Sequence, residues 1–300
     1  MNLNKIALCG AVAGSVATMG CGGGGGGGGG ADSGARAPVS ATYIVGTITI
    51  PDAPTGAMMN ITPGFNLDDK VSTEGGAGNC EDAIGDFQNP TGETGVDNQL
   101  VGSLIGLLRG FAADLDVQMT VDEQISTGAL LLAVRVNDID SFTTDSSVTL
   151  DLFLVDPAGC AMSPCAPQGG RVSADQTWEM SSRPALATGL PASIAEGVLS
   201  GGPLDLPLSF EAGGMAINLT IRDAQIGGAI SEDSMENGNI GGELRIDDIV
   251  ELAEGIMPGI GETARGILEG QADLSPSSDP MVCESISAGI GFGAVTGTVE

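Results

Sequence analysis

Two stretches, ALLLAVRV (129–136) and SVTLDLFLV (147–155), decide how the chain folds. Both are rich in Leu and Val, and in the second the apolar residues Val148, Leu150, Leu152 and Leu154 occupy alternate positions. A period of two places those four side chains on one face of a strand. The segment between them, NDIDSFTTD (137–145), carries Asn, Asp and Ser, so the pair predicts a hairpin of two strands with that face on the core. Arg135 and Asp151 are expected to meet across the pair on the other face, as a surface ion pair worth little.

Further strands are predicted on either side. YIVGTITI (43–50) alternates β-branched residues and ends at Pro51. LDLPLSFEAGG (204–214), MAINLTIRDAQIGGAI (215–230) and GNIGGELRI (238–246) read as three more, the last two forming a hairpin through the polar turn Ser231 to Gly238. SISAGIGFGAVTGTV (285–299) alternates Ile286, Ala288, Ile290 and Phe292 with Ser and Gly, a closing strand. Helices are expected from Asn98 to Leu115, capped by Asp97 or Asn98, and over Val121–Ser126. Two more follow: Ile249–Met257, with Asp248 and Glu251 as an acidic capping box, and Glu262–Leu268. The segment 156–191 reads as loop. Strands at both ends with two to four short helices between them predict one acidic, β-rich α+β domain over 42–300.

The amino-terminal segment reads as an address. Lys5 precedes an apolar stretch from Ile6 to Met19 with no acid, too short to span a bilayer, and small Gly20 precedes Cys21. This resembles a bacterial lipobox, with residues 1–20 a signal peptide and Cys21 the acceptor of a diacylglycerol; Thr18 and Met19 depart from the usual Leu and small residue. The uninterrupted run Gly22–Gly30 has no side chain to bury, so 21–41 reads as a flexible tether. Gly22, rather than Asp, after the Cys resembles lipoproteins sent on to the outer membrane.

With Cys9 in the signal and Cys21 lipidated, Cys80, Cys160, Cys165 and Cys283 remain, which in an exported protein predicts two disulfides. Three pairings are possible. The short gap favours Cys160 with Cys165, leaving Cys80 for Cys283; a four-thiolate zinc site would need a second close pair.

Composition removes several classes of function. The chain holds 10 Lys and Arg against 39 Asp and Glu, a net charge of −29, so there is no basic patch for nucleic acid. Absence of His excludes Ser-His-Asp and Cys-His nucleophiles, HExxH zinc sites and His proton shuttles. Neither a phosphate loop nor a GxSxG elbow occurs.

The CGGGG start at Cys21, FNLDDKVS (65–72), TGETGVDNQ (91–99), NGNIGGEL (237–244) and SISAGIGFGAV (285–295) resemble segments of uncharacterised Gly-linker lipoproteins of myxobacteria and related Deltaproteobacteria. The resemblance implies no activity. The reading is therefore an outer-membrane-anchored lipoprotein, its membrane contact through the lipid, with a non-catalytic structural or binding role. Three alternatives stand beside it. Strands alternating Gly with Ile or Phe suit a carrier of a lipid or other hydrophobic ligand. Asp68, Asp69, Glu81, Asp82, Asp86 and Asp97, with Asn66 and Asn98, sit in a Gly-rich loop that suits Ca²⁺ as the one cofactor considered. Last comes a hydrolase built on paired carboxylates.

Overall fold

The computed structural model describes residues 38–51, 61–73, 79–81, 84–100, 105, 116–212 and 215–300. The signal peptide, Cys21, the glycine run, Asp82 and most of the helix expected over 98–115 lie outside them. Ala37–Glu300 form one compact unit.

In chain order the strands are β1 (Val39–Thr49), β2 (Phe87–Gln88), β3 (Thr94–Val96), β4 (Leu132–Ile139), β5 (Asp145–Pro157), β6 (Thr177–Met180), β7 (Ala187–Ala195), β8 (Val198–Ala212), β9 (Met215–Ile230), β10 (Ser234–Arg245), β11 (Leu274–Pro276), β12 (Cys283–Thr296) and β13 (Thr298–Val299). Among the described residues three α-helices join them: α1 (Val117–Thr127), α2 (Ile246–Ile256) and α3 (Gly261–Glu269).

The expected α+β domain is mostly antiparallel β, and its main sheet is closed. Strand β1 pairs with β4, β4 with β5, β5 with β7, and β7 through β8, β9 and β10 to β12, which returns to β1. Every one of these pairings is antiparallel, giving an eight-stranded up-and-down barrel. Strand β6 and the first half of β7 lie in the segment 156–191 that reads as loop, the sequence predicts no strand over the rest of β7 or the first part of β8, and β7 closes the ring against β5.

Register and burial fix which face is inside. Val134 pairs with Leu152 and with Tyr43, Ile240 with Ile290 and Ile226, and Leu199 with Ile194, and these side chains point into the barrel. Outward positions carry Thr42, Arg135, Asn137, Asp151, Ser200, Arg222 and Glu243, and on β1, β4 and β5 also the buried apolar Ile44, Ala133, Phe153 and Val155. Membrane-spanning barrels have the opposite pattern, apolar outside and polar within. Among the described residues no helix is long and apolar enough to cross a bilayer.

One end of the barrel is solid. Tyr43, Ile139, Leu199, Met235 and Phe292 are buried there, and the Tyr43 hydroxyl donates to the Ser231 carbonyl at 2.6 Å across the β9–β10 turn. Glycine makes room inside: a Cβ on Gly238 would stand 2.5 Å from the Phe292 ring. Burial, with Asp233 and Glu232 close by, raises the Tyr43 pKa and keeps that phenol neutral.

Three local expectations need correction. Helix α2 begins at Ile246, earlier than expected, with Arg245 at its N-cap and no side-chain cap; Asp248 sits inside the first turn and pairs with Arg222 at 3.3 Å. Ile246, Ile249 and Ala253 are buried, so packing of that face sets the start in place of a capping box. Arg135 and Asp151 do stand opposite in register, but no ion pair joins them. Arg135 lies over the Phe153 ring at 4.7 Å and donates to Thr42 Oγ1, while Asp151 accepts from Asn137 Nδ2 at 3.0 Å and from the Gly189 N–H at 2.8 Å. Of the two expected caps at the start of 98–115, Asp97 is engaged elsewhere, its carboxylate accepting from the Leu67 N–H at 2.7 Å, whereas Asn98 Oδ1 accepts from the Leu100 N–H at 3.2 Å.

Candidate functional site

The end of the barrel opposite Tyr43 is hollow. A cavity of about 370 Å³ lies where β1 ends, lined by Ile48 of β1 and Ile50 just beyond it, Leu132 of β4, Leu154 of β5, Leu206 and Leu208 of β8, Leu219 and Ile221 of β9, and Ile240 and Leu244 of β10. Ala288 and Ile290 of β12 complete its wall. All are inward positions of the period-two pattern, so the alternation that builds the core also builds this lining. Its size falls at the lower end of the roughly 300–1,000 Å³ typical of ligand sites.

Helix α1 lies over this end and contributes Val117, Thr120 and Val121; Leu252 of α2, Leu100 and Ile105 add to the lining. The helix is fixed at both ends. Asp116 Oδ1 accepts from the Met119 N–H at 2.9 Å, an N-cap, and Gly128 ends the helix with φ of 86°. A Cβ on Gly128 would meet the Cys165 carbonyl oxygen at 1.7 Å, so the Cys160–Cys165 loop packs flush against the helix end. Gln118 ties α1 to β1: its Oε1 accepts from the Ile50 N–H and its Nε2 donates to the Ile48 carbonyl, each at 2.8 Å. The backbone groups that leave the sheet at the rim are thereby satisfied by the helix above it.

Polar groups on the lining are few: Thr120, Ser209 and Arg183. Arg183 lies just before β7, donating from Nη1 to the Ala129 carbonyl at 2.9 Å and from Nε to Ser181 Oγ at 3.2 Å. Its Nη2 is buried and hydrogen-bonds to no protein group. Arg183 stands in a stretch without period, and its one signal in the sequence is rarity, as one of eight arginines among 39 acids.

The acidic loop packs elsewhere, on the outside of β9, β10 and β12. Glycines on that outward face admit it. A Cβ on Gly289 would lie 2.3 Å from the Pro63 carbonyl oxygen, and one on Gly241 would lie 3.1 Å from the Phe65 ring. The expected calcium ligands are divided among structural tasks. Asp68 accepts from the Lys70 N–H at 2.9 Å, and Lys70 Nζ also reaches Asp68 at 3.7 Å and pairs with Glu81. Asp86 accepts from the Ser72 N–H, Asn66 exchanges hydrogen bonds with the Lys70 backbone, and Asp69 is exposed with φ of 60°. Asp82 lies outside the described residues. Among the described residues no three acidic, Cys or His side chains gather as metal ligands.

One pair of carboxyls is unusual. Burial raises Asp97 to about 8, opposed by the Leu67 N–H and reinforced by Asp273, Asp68 and Asp86. Burial likewise raises Asp273 to about 7, opposed by the N–H and hydroxyl of Ser287 that it accepts from. At 5% and 4% exposure they face protein on all sides. Both expected disulfides are present: Cys80 joins Cys283, at the start of β12, with a Cα separation of 5.7 Å, and Cys160 joins Cys165. The first bond pins the outer loop to the barrel strand it covers.

No protein-family model, curated protein or solved structure matches the chain.

Proposed function

We propose that the protein is a carrier that holds a single-chain apolar ligand in the hollow end of its barrel. On this reading Cys21 and the glycine run tether it to the outer membrane, and no chemistry is performed on the ligand. The observation that carries the reading is the cavity itself: about 370 Å³ walled by inward Leu and Ile side chains of the barrel strands. A solid core needs no such space, since protein interiors ordinarily fill to crystal density. The volume favours one alkyl chain over a two-chain lipid. Inside–outside polarity supports a water-exposed barrel beside a membrane, as a tether would hold it.

Titration of the purified protein with neutral alcohols of increasing length tests this. Burial of each methylene is worth ~0.8 kcal/mol, so affinity should rise roughly fourfold per carbon from hexanol to decanol and level off when the cavity is full. Absence of decanol binding at its solubility limit would remove the carrier reading.

A further inference from the structure

Arg183 gives the cavity a polar end. Among the described residues lining it, this is the only one that bears charge. Two of the three guanidinium nitrogens are engaged within the protein, Nη1 on the Ala129 carbonyl and Nε on Ser181 Oγ. The third, Nη2, is buried and unpaired. No acid neutralises the group: none of the ion pairs among the described residues involves Arg183. A cation kept at the edge of an apolar chamber, with a donor to spare, is costly unless an anion completes it.

We infer that the ligand is an anionic amphiphile of the fatty-acid type, its alkyl chain among Leu132, Leu206 and Ile240 and its carboxylate accepting from Arg183 Nη2. This rests on the carrier reading and narrows it. A carboxylate suits the site better than a phosphate monoester, because a single guanidinium edge offers one positive charge, whereas a monoester brings nearly two negative ones. A cavity sized for one chain points the same way. Ala129, which accepts from Nη1, directly follows the Gly128 cap of α1, so the headgroup would sit beside the end of the helix that covers the chamber.

The experiment compares decanoate, decanol, decyl phosphate and decylammonium in the wild type, in Arg183→Gln and in Arg183→Lys. The wild type should bind decanoate at least about tenfold more tightly than decanol, the gain of a charge-assisted hydrogen bond. It should bind decylammonium more weakly than either. Arg183→Gln should remove the preference for decanoate while leaving decanol binding within about twofold, and Arg183→Lys should restore part of it. A merely structural arginine would change both affinities together. Equal binding of decanoate and decanol to the wild type overturns the anionic headgroup and leaves the carrier reading intact; failure of both to bind overturns both. Decyl phosphate binding more tightly than decanoate would overturn the fatty-acid assignment in favour of a phosphate-bearing lipid.

Discussion

Asn98 and Gly289, separated by 191 residues, exchange two hydrogen bonds: Asn98 Nδ2 donates to the Gly289 carbonyl at 3.0 Å, and the Gly289 N–H donates to Asn98 Oδ1 at 3.1 Å. The side-chain amide thus imitates a neighbouring strand on the outer face of β12. This is possible only because position 289 has no Cβ to hold the loop off. Gly289→Ala should destabilise the fold by about 1–3 kcal/mol, as overpacking does, since a Cβ there meets the Pro63 carbonyl oxygen, Asn98 Nδ2 and Gly64 Cα all within 3 Å. The same change at Gly266, in α3 with open space around it, should raise stability by up to about 1 kcal/mol. Thermal midpoints that move in the same direction for both variants would contradict the docking account.

Beneath the docked loop, Asp97 and Asp273 give stability a pH dependence of unusual sign. Their folded pKa values, about 8 and about 7, lie above the ordinary 3.8, so the folded state binds protons that the unfolded chain releases. Their contribution is complete below about pH 4 and is lost as the pH rises through 7 and 8. The thermal midpoint should therefore fall between pH 6 and pH 9. In the Asp97→Asn, Asp273→Asn double variant that fall should be largely gone, because an amide does not ionise. A wild-type midpoint that rises over this range would show that the two carboxyls are ionised in the fold.

Loss of the two disulfides should be unequal. The Cys80–Cys283 bond closes a sequence separation of 203 residues and the Cys160–Cys165 bond one of 5. On the chain-entropy model these correspond to about 5 and about 2 kcal/mol. Replacing Cys80 and Cys283 with Ser should lower the unfolding midpoint more, and should open 65–98 to protease before the barrel strands are cut. Removing Cys160 and Cys165 should act instead on α1, through the Cys165 carbonyl packed on Gly128.

Anchoring is tested separately from binding. Cys21→Ser should abolish incorporation of labelled acyl chains and leave an unprocessed precursor. Continued labelling would move the anchor elsewhere in the chain and remove the tether from the account.

How far the sequence could be read depended on whether a strand's neighbours were generic or particular. Strands β4 and β5 were legible because each turns an unbroken row of Val and Leu to one side, which any core accepts. Strand β7, ATGLPASIA, was not: Gly189 and Pro191 interrupt the pattern, and Pro191 is tolerated at an outward position opposite Thr149. Gly201, Gly202 and Pro203 hid the first half of β8 in the same way. Since these two segments close the ring, their loss turns a barrel into an open sheet on paper. The alternation of β12 puts Ala288 and Ile290 on the cavity wall, but the reason for its glycines lies in Pro63 and Asn98, far away in sequence. The acidic loop was conspicuous and the lone Arg183 was not, although only the latter reaches the cavity.

The most direct measurement of the central claim is a methyl spectrum of protein labelled at Ile and Leu, recorded while decanol is added. The account predicts that Ile48, Leu132, Leu206, Ile221 and Ile240, which wall the cavity, shift together and saturate, while Ile139, Ile194 and Leu199 at the solid end hold still. Shifts confined to exposed methyls such as Ile61 and Ile267, with the wall unmoved, would contradict it.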